Sequence, residues 1–283
     1  MSPDLRAELI PLIPEDRLNM VPRSFDIIGS KSRSVAIIEV PETLECYAEA
    51  IAEAVMRVHK NVSSVLAKES ERTGEYRTRD LRLLAGDPDT EVLHREYGCI
   101  LRLDPRTVYF SPREGNEREQ VARAVDEGDD VLVMFSGVGP LPIRIAKMKR
   151  RARATAIELN PHAHNYCVEN IHLNGVADRV EAIQGDVRET CPRIGKVYDR
   201  VLMPLPRGAH KFLDVAVPML VDGGTLHFYH WAREEDLFTE AQGLVERALR
   251  EFGKRGEFTD RVRVSQYSPR VWKIRLDVRV CSD

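Results

Sequence analysis

From Asp130 onward, short apolar runs alternate with segments of helical periodicity, and this alternation constrains the fold more than any other feature of the chain. Short apolar runs between turn signals are typical of buried strands, and helical spacing between them indicates crossover helices. Strands joined in this way form a mainly parallel sheet. We therefore predict an α/β, Rossmann-like domain over residues 115–283, with its ligands outside the carboxyl ends of the strands.

The strands of this domain are predicted over residues 130–135, 154–159, 180–184, 199–203 and 224–230, with a closing hairpin over 261–265 and 271–280. The helices are predicted over residues 141–149, 161–174, 209–220 and 234–252. A charged helix over residues 116–127 comes before the first strand.

Residues 25–114 have a mixed pattern that predicts a small α+β domain. Its strands are predicted over residues 25–29, 35–40, 63–67, 91–96, 99–103 and 108–110, and its helix over 42–59. Residues 1–24 are interpreted as an N-terminal extension.

Length and composition exclude several protein classes. The chain has 283 residues and a net charge of −3, so any nucleic-acid contact depends on local basic patches. No apolar run reaches the ~18 residues that span a bilayer, and no signal-peptide pattern is seen, so we expect a cytoplasmic protein. The 5 cysteines are scattered without a CxxC pair, which argues against a disulfide framework and against a metal site.

A glycine turn, Ser136-Gly137-Val138-Gly139, follows the first strand of the predicted sheet. Glycine lets the backbone approach a ligand closely. Glu158 ends the next strand, where a carboxylate can accept hydrogen bonds from both ribose hydroxyls. The third glycine of a dinucleotide fingerprint is missing, because the chain continues as Leu141-Pro142-Ile143. The pattern therefore favours S-adenosylmethionine (SAM), which has no phosphate, over a nicotinamide dinucleotide.

A second acid follows the third strand, in Gly185-Asp186-Val187. In a SAM site this carboxylate would accept a hydrogen bond from the adenine amino group. Three successive strand ends thus have a glycine turn, Glu158 and Asp186. The alternative interpretation is that both acids are solvated loop residues.

Longer motifs make the pattern more specific. They are Gly74-Glu75-Tyr76-Arg77-Thr78-Arg79, Leu83-Leu84-Ala85-Gly86, Val108-Tyr109-Phe110-Ser111-Pro112-Arg113, Asn116-Glu117-Arg118, Met134-Phe135-Ser136-Gly137-Val138-Gly139-Pro140, Glu158-Leu159-Asn160-Pro161 and Val168-Glu169-Asn170-Ile171. With these motifs, the chain from about Phe25 to its C-terminus resembles the archaeal and eukaryotic tRNA (guanine-37-N1)-methyltransferase family. That family includes a sister branch, the wybutosine-pathway enzyme that transfers an aminocarboxypropyl group from SAM.

The resemblance implies a class I SAM-dependent methyltransferase fold, SAM as cofactor, the tRNA anticodon loop as partner, and an RNA-binding or substrate role for residues 25–114. The implied catalytic residues are Arg77, Tyr109, Glu117, Pro204 and Pro206. The implied cofactor-binding residues are Ser111, Arg118, Phe135, Gly137, Gly139, Glu158, Leu159, Asp186 and Val187. The sequence does not define the oligomeric state, and we favour a monomer.

Two departures from the family pattern bear on the branch. The methyltransferase branch has a Met-Asn-Leu-Pro-like segment after the fourth strand, and this chain has Met203-Pro204-Leu205-Pro206, which lacks the asparagine. The sister branch usually has a Gly-Tyr-Val-like segment there, so this chain is closer to the methyltransferases. About 24 residues precede the first matching strand. These are too few for the additional domain with which many methyltransferase members grip the tRNA elbow, which favours the sister branch or a compact variant.

Methylation of guanine N1 needs a base for the N1 proton and a cation for the charge that develops on O6. We predict Glu117 as the base, Arg77 as the cation and Tyr109 as the residue that orients the target base. Residues 204–206 are predicted to form a rigid wall beside the methyl group. Each side chain also has a structural interpretation: Glu117 as a surface acid, Arg77 as a solvated cation and Tyr109 as a core residue.

Three features stay open at the level of sequence. The basic run over residues 147–153 suits either phosphate contacts or a solvated helix end. His162 and His164 suggest a metal but lack a third ligand at suitable spacing. His227 and His230 either line the substrate mouth or pack in the core.

The primary hypothesis is N1-methylation of guanine 37 in the tRNA anticodon loop. The alternatives are aminocarboxypropyl transfer at the same position and a non-catalytic tRNA-binding homologue, which the replacement by Pro204 motivates. A small-molecule methyltransferase also stays open, because the net charge is negative.

Overall fold

The computed structural model describes residues 5–70 and 74–282, in two compact units, Met1–Asn116 and Glu117–Asp283. The sequence placed domain boundaries after residues 24 and 114, and these boundaries stay predictions. Residues 1–4 of the predicted N-terminal extension lie outside the described residues. In the described ranges, no helix has the length and apolar character needed to cross a membrane.

The first unit contains a four-stranded sheet, a two-stranded hairpin and two helices. The helices are α1 (Leu5–Leu9) and α2 (Ala48–Val58). The strands are β1 (Asp26–Gly29), β2 (Ser34–Ile38), β3 (Val62–Lys68), β4 (Leu81–Gly86), β5 (Val92–Glu96) and β6 (Cys99–Leu103). The sheet order is β1-β2-β3-β4, with β2 and β3 parallel and the outer pairs antiparallel. Strands β5 and β6 form the separate hairpin.

The core of the first unit includes residues that precede β1. Ile51 and Val55 of α2 are fully buried, and Leu9 and Ile13 from the N-terminal segment belong to the same apolar cluster. Burial of such a side chain contributes about 1.5–3 kcal/mol. The segment before β1 therefore stabilises this unit.

Three elements of the first unit differ from the prediction. Residues 108–110 are not a strand, because the N–H groups of Thr107 and Val108 both donate to the Asp104 carbonyl in a turn. The sequence did not indicate β4, which pairs with β3. The predicted helix over 42–59 starts as a 3₁₀ helix, Glu42–Tyr47, before α2 begins.

The second unit contains a seven-stranded sheet with helices between its strands. The helices are α3 (Gly115–Ala124), α4 (Pro140–Met148), α5 (Pro161–Leu173), α6 (Val187–Ile194), α7 (Leu213–Ala216) and α8 (Thr239–Glu251). The strands are β7 (Asp130–Met134), β8 (Arg153–Glu158), β9 (Val180–Gln184), β10 (Tyr198–Met203), β11 (Leu220–Arg233), β12 (Lys254–Ser268) and β13 (Val271–Ser282).

The strand order is β12-β13-β11-β10-β7-β8-β9. Strands β7 to β11 are parallel, and β13 is antiparallel to both of its neighbours. The chain winds from β7 toward β9 on one side and from β10 toward β11 on the other. Such a reversal between adjacent strands is the topological switch point at which α/β sheets bind ligands. The predicted α/β, Rossmann-like fold with a closing hairpin is confirmed.

Two helices of the second unit differ from the prediction. The sequence predicted one helix over 209–220, but the structure has 3₁₀ segments at Ala209–Phe212 and Val217–Met219 on either side of the single turn α7. Pro218 in the last segment lacks the N–H that an α-helix would use. Helix α6 was not predicted, although Asp186 at its N-cap and Gly195 in a left-handed C-cap are ordinary helix signals.

Gly139 fixes the approach between the β7–α4 turn and α5. Its φ is +82°, and a Cβ built there would lie 2.6 Å from the Cys167 Sγ. Burial, and then the charge of Glu158, raises the pKa of Cys167 to about 12, so this side chain packs as a neutral thiol. The turn therefore needs glycine both for its conformation and for space.

Replacing Gly139 with alanine should destabilise the protein by roughly 2–4 kcal/mol, the sum of left-handed strain and overpacking. Gly175→Ala is the matched control, because Gly175 also has a positive φ of +64° but has open space around its Cβ position. It should cost only about 1–2 kcal/mol. Urea denaturation of both variants checks this, and equal losses would show that contact with Cys167 plays no part.

Candidate active site

The candidate site lies at the carboxyl ends of β7, β8 and β9, which are adjacent in the sheet. Met134 of β7 pairs with Ile157 of β8, and Glu158 pairs with Gln184 of β9. Adjacent strands lie about 4.8 Å apart. The turns that follow these three strands are therefore within reach of one small ligand.

The turn after β7 begins with Phe135 in the left-handed region, at φ +58°. Such a conformation costs about 1–3 kcal/mol and is concentrated at functional sites. The Phe135 ring packs against Phe212 with ring centroids 5.0 Å apart. Pro140 and Pro142 occupy the first turn of α4 and have no N–H groups. The start of this helix therefore offers fewer donors to a phosphate than an ordinary helix start does.

Glu158 connects the turns after β7 and β8. Its Oε2 accepts from the Gly137 N–H at 2.7 Å and its Oε1 from the Asn160 N–H at 2.9 Å. Burial raises the pKa of Glu158, and the two amide hydrogen bonds offset this only in part. A ligand that donates hydroxyl hydrogen bonds to this buried carboxylate would lower the pKa again.

Asp186 follows β9 and begins α6. Its Oδ1 accepts from the Arg188 N–H at 2.8 Å, so the side chain is the N-cap of this helix. Gly185, with φ +153°, leaves no room for a Cβ, which would lie 2.6 Å from Thr190 Oγ1. The cap fixes the carboxylate at the carboxyl edge of the sheet.

These groups fit the predicted cofactor. The side chains of Glu158 and Asp186 are acceptors for hydroxyl and amino groups, and SAM has both in its ribose and adenine. The prolines at the start of α4 disfavour a phosphate, which SAM lacks. The residues that would hold SAM in this unit are therefore those at the three strand ends.

Glu117 of α3 is buried and its carboxylate is held by two donors from the closing strands. The Tyr229 hydroxyl donates to Oε1 at 2.7 Å, and the Arg275 Nη1 donates to the same oxygen. Burial, and then the charge of Glu117, raises the pKa of Tyr229 well above its ordinary value, so the phenol stays protonated as a donor. Among the described residues, both hydrogen bonds to this carboxylate end at Oε1. Oε2 can therefore accept a proton from a ligand.

Arg275 is the centre of a buried polar chain. Its Nε donates to Asp277 Oδ1 at 2.8 Å, and the Nδ1 of His227 lies 2.7 Å from the same oxygen. Although burial lowers the pKa of Arg275, the neighbouring Tyr229, Glu117 and Asp277 outweigh it and raise that pKa. Burial raises the pKa of Asp277, but His227 and Arg275 outweigh it, and the net shift is downward. Both charged forms are thus stabilised.

Sequence reasoning missed Tyr229, Arg275 and Asp277. A signal was present in β13, where Lys273, Arg275 and Asp277 alternate with apolar residues and are all buried. Alternation alone suggests a solvated polar face, because polar residues of a strand usually face water. Only the pairing of β13 with β11 shows that this face is buried.

Two family models match the chain. One is described as the TRM5/TYW2 methyltransferase domain and matches residues 92–255, and the other as the TYW2 N-terminal domain and matches residues 5–90. The chain belongs to the TRM5/TYW2 methyltransferase family.

Relatives within this family have different names. The tRNA (guanine(37)-N(1))-methyltransferase Trm5b of Pyrococcus abyssi is 41% identical over 268 residues, which cover 95% of this chain and 78% of the relative. The tRNA(Phe) (4-demethylwyosine(37)-C(7)) aminocarboxypropyltransferase of Pyrococcus horikoshii is 32% identical over 280 residues, covering 99% of this chain and 97% of the relative.

Solved structures of both kinds resemble this chain. The crystal structure of Pyrococcus abyssi Trm5b matches with a TM-score of 0.88 at 40% identity, covering 99% of this chain and 82% of that one. Pyrococcus horikoshii TYW2 in complex with MeSAdo matches with a TM-score of 0.83 at 30% identity, covering 100% of both chains. A complex of aTrm5 and tRNALeu matches with a TM-score of 0.85 at 31% identity, covering 99% of this chain and 78% of that one.

The residues that the TRM5/TYW2 resemblance singled out are divided between the two units. Arg77, Tyr109 and Ser111 belong to the first unit. Arg77 has a left-handed φ of +54°, and the Tyr109 hydroxyl donates to Glu114 Oε1 at 3.4 Å. A common pocket formed by these residues and Glu117 stays a prediction.

Other predicted site residues of this family member lie in the second unit. Arg118 is buried beside Glu117 in α3. Leu159 follows Glu158 directly, and Val187 is the buried first residue of α6. Pro204 and Pro206 follow β10, at the same edge of the sheet as the glycine turn. Their roles in cofactor binding and catalysis stay predictions.

The features left open by the sequence now have defined surroundings. The His162 N–H donates to the Asn160 side chain in the N-cap of α5. Arg151 pairs with Glu127, and Arg150 and Arg179 line a surface cavity of about 430 Å³. His227 contacts Asp277, whereas His230 lies beside His210, with ring centroids 6.2 Å apart. Within residues 5–70 and 74–282, no group of three or more His, Cys, Asp or Glu side chains could hold a metal ion.

Asp277→Asn should lower the free energy of unfolding by about 2 kcal/mol at pH 7, because Asp277 holds Arg275 through a charged hydrogen bond. The folded-state pKa of Asp277 lies below its ordinary value. Its contribution is therefore present above about pH 4 and is lost as the pH falls through the folded-state pKa. Urea denaturation of wild type and variant at pH 7 and pH 3 measures this difference.

The matched control for Asp277 is Asp178→Asn, because Asp178 also pairs with an arginine, Arg179, but is 70% exposed. Its stability difference should be below about 0.5 kcal/mol at either pH. If the Asp277 and Asp178 variants behave alike, the buried chain does not contribute the stability assigned to it.

Proposed function

We propose that this protein is a SAM-dependent tRNA methyltransferase that methylates N1 of guanine 37 in the anticodon loop. The 41% identity to Trm5b of Pyrococcus abyssi supports this proposal. So does the segment Met203-Pro204-Leu205-Pro206, which is closer to the methyltransferase pattern than to the sister branch. The tRNA is bound through its anticodon loop, and we favour a monomer that acts in the cytoplasm.

The observation that carries the proposal is the buried Glu117 carboxylate, held at one oxygen by Tyr229 and Arg275. A general base for N1 must be ionised before it meets its substrate. The Arg275 guanidinium donates to the carboxylate and fixes its orientation in a water-poor site. Glu117 Oε2 then takes the N1 proton.

The cofactor residues follow from the strand ends. Glu158 accepts hydrogen bonds from the ribose hydroxyls, and Asp186 accepts one from the adenine amino group. The remaining cofactor contacts are assigned to Ser111, Arg118, Phe135, Gly137, Gly139, Leu159 and Val187. SAM supplies an electrophilic methyl group on a sulfonium.

The other catalytic roles belong to the chain's own side chains. As N1 loses its proton to Glu117, negative charge develops on O6, and Arg77 stabilises it. Tyr109 orients the base, and Pro204 and Pro206 form a rigid wall beside the methyl group. The N1 lone pair forms the new bond to carbon, and the electrons of the broken sulfur–carbon bond stay on sulfur, which becomes neutral.

A second candidate function is aminocarboxypropyl transfer to a 4-demethylwyosine at position 37. The match of residues 5–90 to the TYW2 N-terminal domain favours it. The 32% identical relative, covered over 97% of its length, has this activity in its name. A sulfonium offers more than one carbon to a nucleophile, so the pose of the base decides which group is transferred.

Two labels of SAM test these functions. The protein is incubated with tRNA that has guanine or 4-demethylwyosine at position 37, using SAM labelled in the methyl group or in the carboxyl group. Methyl label in RNase-sensitive product, with 1-methylguanosine by mass spectrometry, supports the proposal. Carboxyl label in tRNA supports the second function, and no label in tRNA from either SAM contradicts both.

Glu117→Gln should lower kcat for methyl transfer about 100-fold or more, because the amide cannot take the N1 proton. Glu119→Gln is the matched control, because Glu119 is also a buried carboxylate of α3 and pairs with Arg144 at 2.6 Å. It should leave kcat within about threefold of wild type. Steady-state rates at saturating tRNA and SAM measure both variants, and unchanged SAM affinity shows that each is folded. A wild-type rate in Glu117→Gln contradicts the assignment of the base.

Glu158→Gln should weaken SAM binding roughly tenfold or more. The Gln amide can replace only one carboxylate oxygen, so its NH₂ group faces the N–H of Gly137 or of Asn160. The loss of one buried hydrogen bond to a charged group costs about 1.5–3 kcal/mol. Titration calorimetry with SAM measures this, and Glu181→Gln on the exposed side of β9 is the control. Equal affinities would exclude Glu158 from the cofactor site.

A further inference from the structure

The closing strands extend beyond the edge at which the parallel strands end. Phe228 of β11 pairs with Met203, the last residue of β10, and β11 continues to Arg233. Five more residues at about 3.3 Å each make a projection of roughly 16 Å. The antiparallel partner β13 pairs with β11 along this whole projection, up to Val271 opposite Arg233. The outer ends of β11 and β13 therefore lie beyond the edge of the sheet at which the substrate is expected.

One face of this projection includes Tyr229, the residue that contacts Glu117. Alternate residues of a strand share a face, so Tyr229 and Trp231 lie in one row. Tyr229 donates to Glu117. Trp231 lies two residues further out, about 7 Å along the strand. A ligand whose reacting atom meets Glu117 therefore has Trp231 beside its neighbouring group.

Trp231 forms an aromatic surface with Tyr267 near the end of β12. Their ring centroids are 4.4 Å apart with planes inclined at 43°, and Tyr267 is 61% exposed. Single exposed aromatic residues are common at protein surfaces. Here one ring supports a second, and the pair presents a π surface to solvent at the substrate edge.

Two exposed arginines lie at the outer end of the same projection. Arg233 ends β11 two residues beyond Trp231, and Arg270 occupies the turn between β12 and β13 with a left-handed φ of +62°. On the opposite face of the strands, the Arg263 guanidinium stacks on Trp272 at 4.3 Å from the ring centroid, so Trp272 is separate from this surface. Aromatic rings flanked by guanidinium groups match the alternating bases and phosphates of a single-stranded nucleic acid.

We propose that Trp231 and Tyr267 form a stacking platform for an unpaired nucleobase adjacent to the target nucleotide in the RNA loop. This inference rests on the proposed function, because it takes an RNA loop as substrate. Stacking of a base on an aromatic side chain contributes about 1–3 kcal/mol and tolerates different bases. The platform would hold the loop open, so that the target base leaves its stack and meets Glu117.

The two tryptophans of the chain make a direct test, because Trp231 belongs to the platform and Trp272 does not. In Trp272→Phe, Trp231 is the remaining tryptophan, and its emission should be quenched when an anticodon stem-loop RNA is titrated in, because a base stacks on its ring. In Trp231→Phe, the Trp272 emission should stay unchanged while RNA still binds. Unchanged Trp231 emission, at RNA concentrations at which filter retention shows binding, overturns the proposal.

Affinity measurements test the second ring. Tyr267→Ala should raise the Kd for the stem-loop RNA about tenfold, and Tyr267→Phe, which keeps the ring, should restore it. Phe252→Ala is the control, because Phe252 is 41% exposed and follows α8, outside the platform. If wild type binds RNA and Tyr267→Ala binds it equally well, the platform is wrong and the proposed function stands. If wild type binds no RNA, both are wrong.

Discussion

The buried pair of the Glu117 carboxylate and the Arg275 guanidinium is the interaction on which the candidate catalytic region depends. Neither charge is hydrated by bulk water, so each relies on the other and on the hydrogen bonds from Tyr229 and to Asp277. A buried ion pair is a weak source of stability compared with apolar packing. The proposed role of Glu117 as the base relies on this pair, because the pair holds the carboxylate in one position.

This pair exists because the sheet closes with a hairpin. The next strand, β12, returns through the crossover helix α8 and runs parallel to β11, but it does not pair with β11. Instead, β13 inserts antiparallel between β12 and β11, which sets Arg275 opposite Tyr229 in register. The Glu117 side chain of α3 then contacts both Tyr229 and Arg275. The order and register of the closing strands therefore determine which side chains contact the Glu117 carboxylate.

The sequence predicted the parts that are encoded locally. Strand and helix periodicity, and turn residues after each strand, identified the sheet and the acids Glu158 and Asp186 at its edge. Tyr229 and Arg275 could not be found in this way, because they lie 112 and 158 residues from Glu117. Only strand order and register bring such residues together. The roles of Arg77 and Tyr109 came from motif resemblance, which carries chemical information but no distances.

The two prolines at the start of α4 have a consequence for selectivity among nucleotides. ATP shares its adenosine with SAM, so a pocket that recognises only ribose and adenine would bind both. Pro140 and Pro142 remove main-chain donors at the place where a helix start would otherwise attract a triphosphate. Discrimination against ATP would then be built into the backbone, where no change of a single side-chain rotamer can undo it.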